Sequence, residues 1–169
     1  VHWLNSKKEM KMLNKEQYLA KLNAAVESLG FDKRRVIISH GGASMMHNLR
    51  KETEDIDVSI PKEYWDLLIE NGCEVKVLPA REYVSEVKII EYMGVDFHLE
   101  GNVDPRDLMC FYGYAVTKQL RLLRDRIALG REKDVSDIMK LKQLSRFLNS
   151  CEQSRMWSIC HQHRGTATA

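Results

Sequence analysis

The sequence predicts an α/β protein. It is read as a small mixed β-sheet with flanking helices over residues 14–103, followed by a C-terminal helical segment over residues 104–150. Three observations carry this reading. Residues 14–29 repeat apolar side chains at helical spacing, with Tyr18, Leu22, Ala25, Val26 and Leu29 on one stripe. Between residues 36 and 60 two short apolar runs flank Gly41-Gly42 and about one helix's length of mixed residues. Residues 95–100, Val-Asp-Phe-His-Leu-Glu, alternate apolar and polar as a strand with one covered face does.

The first helix has a stop signal in Gly30, and a charged connector then leads to Val36-Ile37-Ile38, a short β-branched strand. Gly41 and Gly42 follow as a turn, and residues 43–49 read as a short helix. A strand, a glycine turn and a helix N-terminus together present backbone N–H groups where the helix dipole favours a phosphate. The second apolar run opens with Asp55-Ile56-Asp57-Val58. If this is strand, the two carboxylates project from one face about 6–7 Å apart, with no Lys or Arg two residues away to compensate them. Like charges held together favour a hard cation between them, and Mg²⁺ takes one or two protein carboxylates and completes its shell with water and substrate phosphates.

Pro61 marks the start of another helix, closed by Asn71-Gly72, and residues 74–78 and 84–92 are strand-like. Met93-Gly94 turns the second of these back into residues 95–100. The count is four or five strands. Asp104-Pro105 is read as a helix start, residues 115–129 as its continuation, and residues 134–148 as a last helix. Residues 1–13 and 151–169 show weak patterning and are expected to be flexible termini.

Composition narrows the function classes. A chain of 169 residues, 44% hydrophobic and 30% charged, suits one globular domain with a helical appendage. A net charge of +2 does not indicate a globally electropositive nucleic-acid binder, although Lys118, Arg121, Arg124, Arg126, Arg131 and Lys133 make the C-terminal region locally basic. Those cations either face an anionic ligand or form a solvated helix face partnered by Asp125, Glu132, Asp134 and Asp137. Cys73, Cys110, Cys151 and Cys160 form no CxxC pair, which predicts a reduced, cytoplasmic chain, and no apolar run is long enough for a membrane span. Cys160-His161 and His163 match no structural zinc spacing.

Gly41-Gly42-Ala43-Ser44, followed by Arg50, Thr53 and Asp55-Ile56-Asp57-Val58, resembles the signature of the DNA polymerase β-like nucleotidyltransferase superfamily. The resemblance is to its small single-chain members, the abortive-infection or toxin-type transferases and the antibiotic adenylyltransferases. It implies a nucleotidyltransferase fold, an enzyme of that class, and a third carboxylate on a later strand, for which Asp96 is the candidate. It further implies that Asp55, Asp57 and Asp96 are catalytic and hold two Mg²⁺, with a nucleoside triphosphate as co-substrate. Gly41, Gly42 and Ala43 would hold its phosphates through the backbone, and Lys118 would face the leaving pyrophosphate. Ser44 either donates to a phosphate or caps the helix, and Arg50 either reaches a phosphate or pairs with Glu52 or Glu54. Asp96 is either the third ligand or a hairpin cap, and His98 either a ligand or a hydrogen-bonded strand residue.

The expected reaction is transfer of a nucleoside monophosphate to a hydroxyl acceptor with release of pyrophosphate. The basic C-terminal helices tilt the acceptor toward an RNA 3′ end or a protein rather than a small molecule. Residues 95–98 resemble a strand of the antibiotic adenylyltransferases, which keeps an aminoglycoside or lincosamide acceptor as the alternative. A catalytically inactive nucleotide-binding module is the third reading.

Overall fold

The computed structural model describes residues 11–80, 86–147 and 150. In chain order the elements are β1 (Leu13–Asn14), α1 (Lys15–Leu29), β2 (Ile37–Ile38), α2 (His40–Met46), β3 (Glu52–Thr53), β4 (Asp57–Ile60), α3 (Lys62–Glu70), β5 (Val75–Leu78), β6 (Val87–Tyr92), β7 (Val95–Leu99), β8 (Leu108–Phe111), β9 (Tyr114–Thr117) and α4 (Gln119–Leu129), with a further helical run over residues 135–147. The chain is thus mixed α/β, and no described helix is long and apolar enough to cross a membrane. It divides into two compact units, residues 1–122 and 123–169.

Unit one is built on a seven-stranded sheet in the order β5-β6-β7-β4-β2-β9-β8, while β1 and β3 pair separately. β4 is antiparallel to β2 and parallel to β7, and β9 is parallel to β2. Alternation along these strands separates two faces. Val58, Ile60, Ile90, Val95 and Phe97 point to one face and are completely buried there, with α1 and α3 packed against β7. Phe31 stacks on Tyr64 and meets Phe97 edge-on beneath this layer. Asp57, Ser59, Asp96, His98 and Glu91 point to the other face and none of them is buried. The sheet therefore has an apolar side and a chemically equipped side.

Several elements form for the expected reasons. Asn14 caps α1 in a reciprocal capping box with Gln17, and Gly30 ends it in the left-handed conformation at φ 68°. Pro61 precedes α3, and Met93-Gly94 forms a tight hairpin turn with φ of 51° and 77°.

Three expectations are corrected. Residues 104–117 are not helical: Asp104 caps a single 3₁₀ turn by accepting from the Arg106 N–H, and β8 and β9 then form a hairpin through Tyr112-Gly113. That hairpin completes the sheet, so seven strands stand where four or five were counted, and the first compact unit extends to residue 122 rather than 103. Further, the glycine pair is no turn ahead of a helix. α2 already begins at His40, which takes the positive φ (53°), whereas Gly41 and Gly42 lie in the helix's first turn without one. Finally, the strand opens at Asp57, and Asp55 precedes it. Residues 1–10, 81–85, 148–149 and 151–169 lie outside the described residues, and with them most of the expected flexible termini, the start of the strand assigned to residues 84–92, Leu148, Cys151 and the Cys160-His161-His163 cluster.

Candidate functional site

Three chain segments converge at one end of the sheet. β2 runs directly into α2; β4, antiparallel to it, begins there at Asp57; and β7, parallel to β4, sets Asp96 directly opposite Asp57. The Asp96 N–H donates to the Ile56 carbonyl at 2.8 Å, which fixes the register at the carboxylates themselves. β9 ends at this same end, since it runs parallel to β2, and Lys118 follows it.

On the far side of Asp96 stands Glu91 of β6, its cross-strand partner. Glu91, Asp96 and Asp57 thus form a row of three carboxylates across three adjacent strands, on the face opposite the fully buried layer. Burial raises the Asp96 pKa above the ordinary carboxylate range, and the negative charges of Asp57, Glu91 and Asp55 raise it further, with His98 opposing. Asp55 is exposed and acts on Asp96 from outside the strand. Lys76 pairs with Glu91 at 2.6 Å at the end of the row distant from Asp57.

His98 sits two residues beyond Asp96 on the same face, and its Nε2 donates to Asp57 Oδ1 at 3.1 Å. This answers the open question about His98 in favour of a hydrogen-bonded strand residue, with a partner in the candidate site itself. Asp96 likewise lies within β7 rather than capping the hairpin, which is turned by Met93 and Gly94.

The glycines are demanded by packing. A Cβ on Gly41 would fall 2.4 Å from the Thr53 hydroxyl and 3.4 Å from Arg50 Nη1, and one on Gly42 would fall 2.2 Å from the Tyr18 hydroxyl and 2.9 Å from Ile38. They let α2 press against β2, α1 and the segment carrying Arg50 and Thr53, and so bring the start of α2 to the carboxylates. Arg50, half-buried, consequently has its guanidinium beside Gly41.

Ser44 and Ala43 are less accessible than the sequence implied. Both are completely buried, and the Ala43 N–H donates to the Ser39 carbonyl within the helix. Gly42 is buried as well, so along Gly41–Ser44 only Gly41 is partly exposed. Lys118 is exposed; its N–H donates to the Asp107 carbonyl and its own carbonyl accepts from Leu122, which ties the start of α4 to the sheet end. His47 braces the same corner: its Nε2 donates to the Thr117 carbonyl at 2.7 Å, and burial lowers its pKa.

Sequence reasoning missed Glu91 and Tyr18. Glu91 was hidden because its role follows from register across two strands, although the Tyr92-Met93-Gly94-Val95 turn, once set, dictates that Glu91 faces Asp96. Tyr18 reads as a core residue, yet its fully buried hydroxyl has no hydrogen-bond partner among the described residues, and burial, with the nearby charge of Asp57, holds the phenol in its neutral form.

Among the described residues no group of three or more His, Cys, Asp or Glu side chains is placed to hold a metal ion. A hard divalent cation can take as few as one or two protein carboxylates when water and phosphate complete its shell, and Asp57 and Asp96 are the two that the register sets opposite each other. In comparisons with known proteins, no family model, no curated protein and no solved structure matches the chain.

Proposed function

We propose that this chain is a Mg²⁺-dependent nucleotidyltransferase, which moves a nucleoside monophosphate from a nucleoside triphosphate onto the hydroxyl of an RNA 3′ end or a protein and releases pyrophosphate. The observation that supports this reading is the in-register pairing of Asp57 with Asp96, both only partly exposed, at the end of the sheet where β2 runs into the close-packed glycines of α2. A fold has no structural need to hold repelling carboxylates directly opposite each other.

Asp55, Asp57 and Asp96 would hold the metal. Mg²⁺ held there would supply charge neutralisation for the triphosphate. Burial and its acidic neighbours shift Asp96 toward greater basicity, so it is the group that accepts the acceptor hydroxyl's proton. As that proton leaves, the acceptor oxygen bonds to the α-phosphorus and the bond from phosphorus to the pyrophosphate oxygen breaks. The amides of Gly41 and Gly42 and the guanidinium of Arg50 face the β- and γ-phosphates, and Lys118 meets the leaving pyrophosphate. These groups are preset on strand and helix ends, so the work is alignment and charge compensation.

The deciding experiment incubates the protein with each α-phosphate-radiolabelled nucleoside triphosphate, with and without Mg²⁺, against RNA, protein extract, aminoglycosides and lincosamides. Mg²⁺-dependent label on one acceptor, absent in Asp57→Asn, is the expected result. Label that persists in Asp57→Asn or without Mg²⁺ would remove the assignment.

A further inference from the structure

We infer that His98 is a positioning residue for Asp57: its Nε2–H holds Oδ1 of the carboxylate and leaves the other oxygen directed at the reacting groups. The inference rests on the proposed metal-binding role of Asp57 and deepens it. The two side chains come from adjacent parallel strands, with Asp57 opposite Asp96 and Ser59 opposite His98, so the imidazole reaches diagonally across one step of the ladder. Both side chains are only partly exposed, 23% for His98 and 28% for Asp57, so the contact is shielded from competing water more than a surface pair is.

The chemistry fixes the direction of the bond. A carboxylate only accepts, so the imidazole must carry its proton on Nε2. Ile89 of β6, the cross-strand partner of His98, is buried on the same face. A side chain needed only to fill this strand position would require no donor at that atom, whereas a donor at 3.1 Å ties one oxygen of Asp57 and leaves the other to different partners. Outer hydrogen bonds of this kind orient carboxylate ligands, and their loss commonly costs 10–100-fold in metal affinity.

The test measures Mn²⁺ binding to the nucleotide-free protein by electron paramagnetic resonance at one fixed pH, for wild type, His98→Ala, His98→Gln and Asp57→Asn, with thermal midpoints recorded in parallel. His98→Ala should weaken Mn²⁺ by roughly 10–100-fold. His98→Gln, whose amide N–H can still reach Oδ1, should recover most of that loss, and the midpoints should stay close together. Wild-type affinity in His98→Ala, or tighter binding, would overturn the positioning role while leaving the metal site standing. An equal loss in the Gln variant would assign the effect to ring packing and overturn it too. If the wild-type protein binds no Mn²⁺, the metal reading itself fails and this inference falls with it.

Discussion

Asp57 and Asp96 are direct cross-strand partners on parallel strands, two carboxylates in one register position with Glu91 as a third in the same row. Like charges directly opposite each other destabilise a sheet, and cross-strand pair effects are about 0.2–1 kcal/mol. The pKa of Asp96 reports the same tension, because burial and three acidic neighbours push it upward. A raised carboxyl pKa means that the folded state binds this proton more readily than the unfolded chain does. The associated stability is fully present below the ordinary carboxylate pKa and is lost as pH rises through the folded one. Asp96→Asn should therefore melt higher than wild type at neutral pH by an amount in that range, and its advantage should shrink on acidification. Turnover should be abolished in the same protein. Differential scanning calorimetry across pH, with the radiolabel assay, checks both halves, and an Asp96→Asn protein less stable at pH 7 would contradict the charge argument.

The packing of α2 leads to a pair of opposite effects. Gly42→Ala drives a methyl into the Tyr18 ring, 2.2 Å from its oxygen and 2.6 Å from Cζ, within a fully buried layer. Overpacking of this kind costs about 1–3 kcal/mol. Tyr18→Phe removes a buried hydroxyl without a partner and should be neutral or stabilising. The double variant should recover only part of the Gly42→Ala loss, since the ring carbon still lies in the way. Urea unfolding of the four proteins gives the coupling directly, and a loss above about 1 kcal/mol in Tyr18→Phe alone would mean that the hydroxyl has a native partner.

The sheet's central strands and the carboxylates on them were legible because alternation and turn residues are local signals. Val95, Phe97 and the Met93-Gly94 turn determine where Asp96 points, and the register then follows from the hairpin. The hairpin of β8 and β9 was missed although Tyr112-Gly113 carries a turn signal, because Asp104-Pro105 also satisfies a helix start and the following apolar spacing fits both periods. The glycines carry a packing requirement that their local pattern does not show. Their requirement is set by Tyr18, Ile38, Arg50 and Thr53, residues up to 24 positions away in sequence (42 − 18), and no local pattern contains that. Glu91 and the His98 contact to Asp57 likewise exist only through strand pairing.

In the second unit Arg124, Lys133 and Lys140 are exposed, as a solvated helix face requires, but Arg126 is not. Arg126 and Asp134 are buried and hydrogen-bonded to each other, Asp137 lies 3.7 Å from the same guanidinium, and Arg131 Nε donates to the other Asp134 oxygen at 2.7 Å. Removing one member of a buried ionic group strands its partners, so Arg126→Met should destabilise this unit by about 3–5 kcal/mol. Burial alone would raise the Asp134 pKa, but the hydrogen bond from Arg131 and the charge of Arg126 outweigh it and hold the carboxyl below its ordinary value. Such a depressed group contributes stability that is present above the unfolded pKa and lost as pH falls through the folded one. Helical circular dichroism should therefore hold from neutral pH down to about pH 4 and decline below it. Asp134→Asn should lose stability at neutral pH and show a shallower acid transition; an acid transition as steep as in wild type would show that other carboxylates carry it.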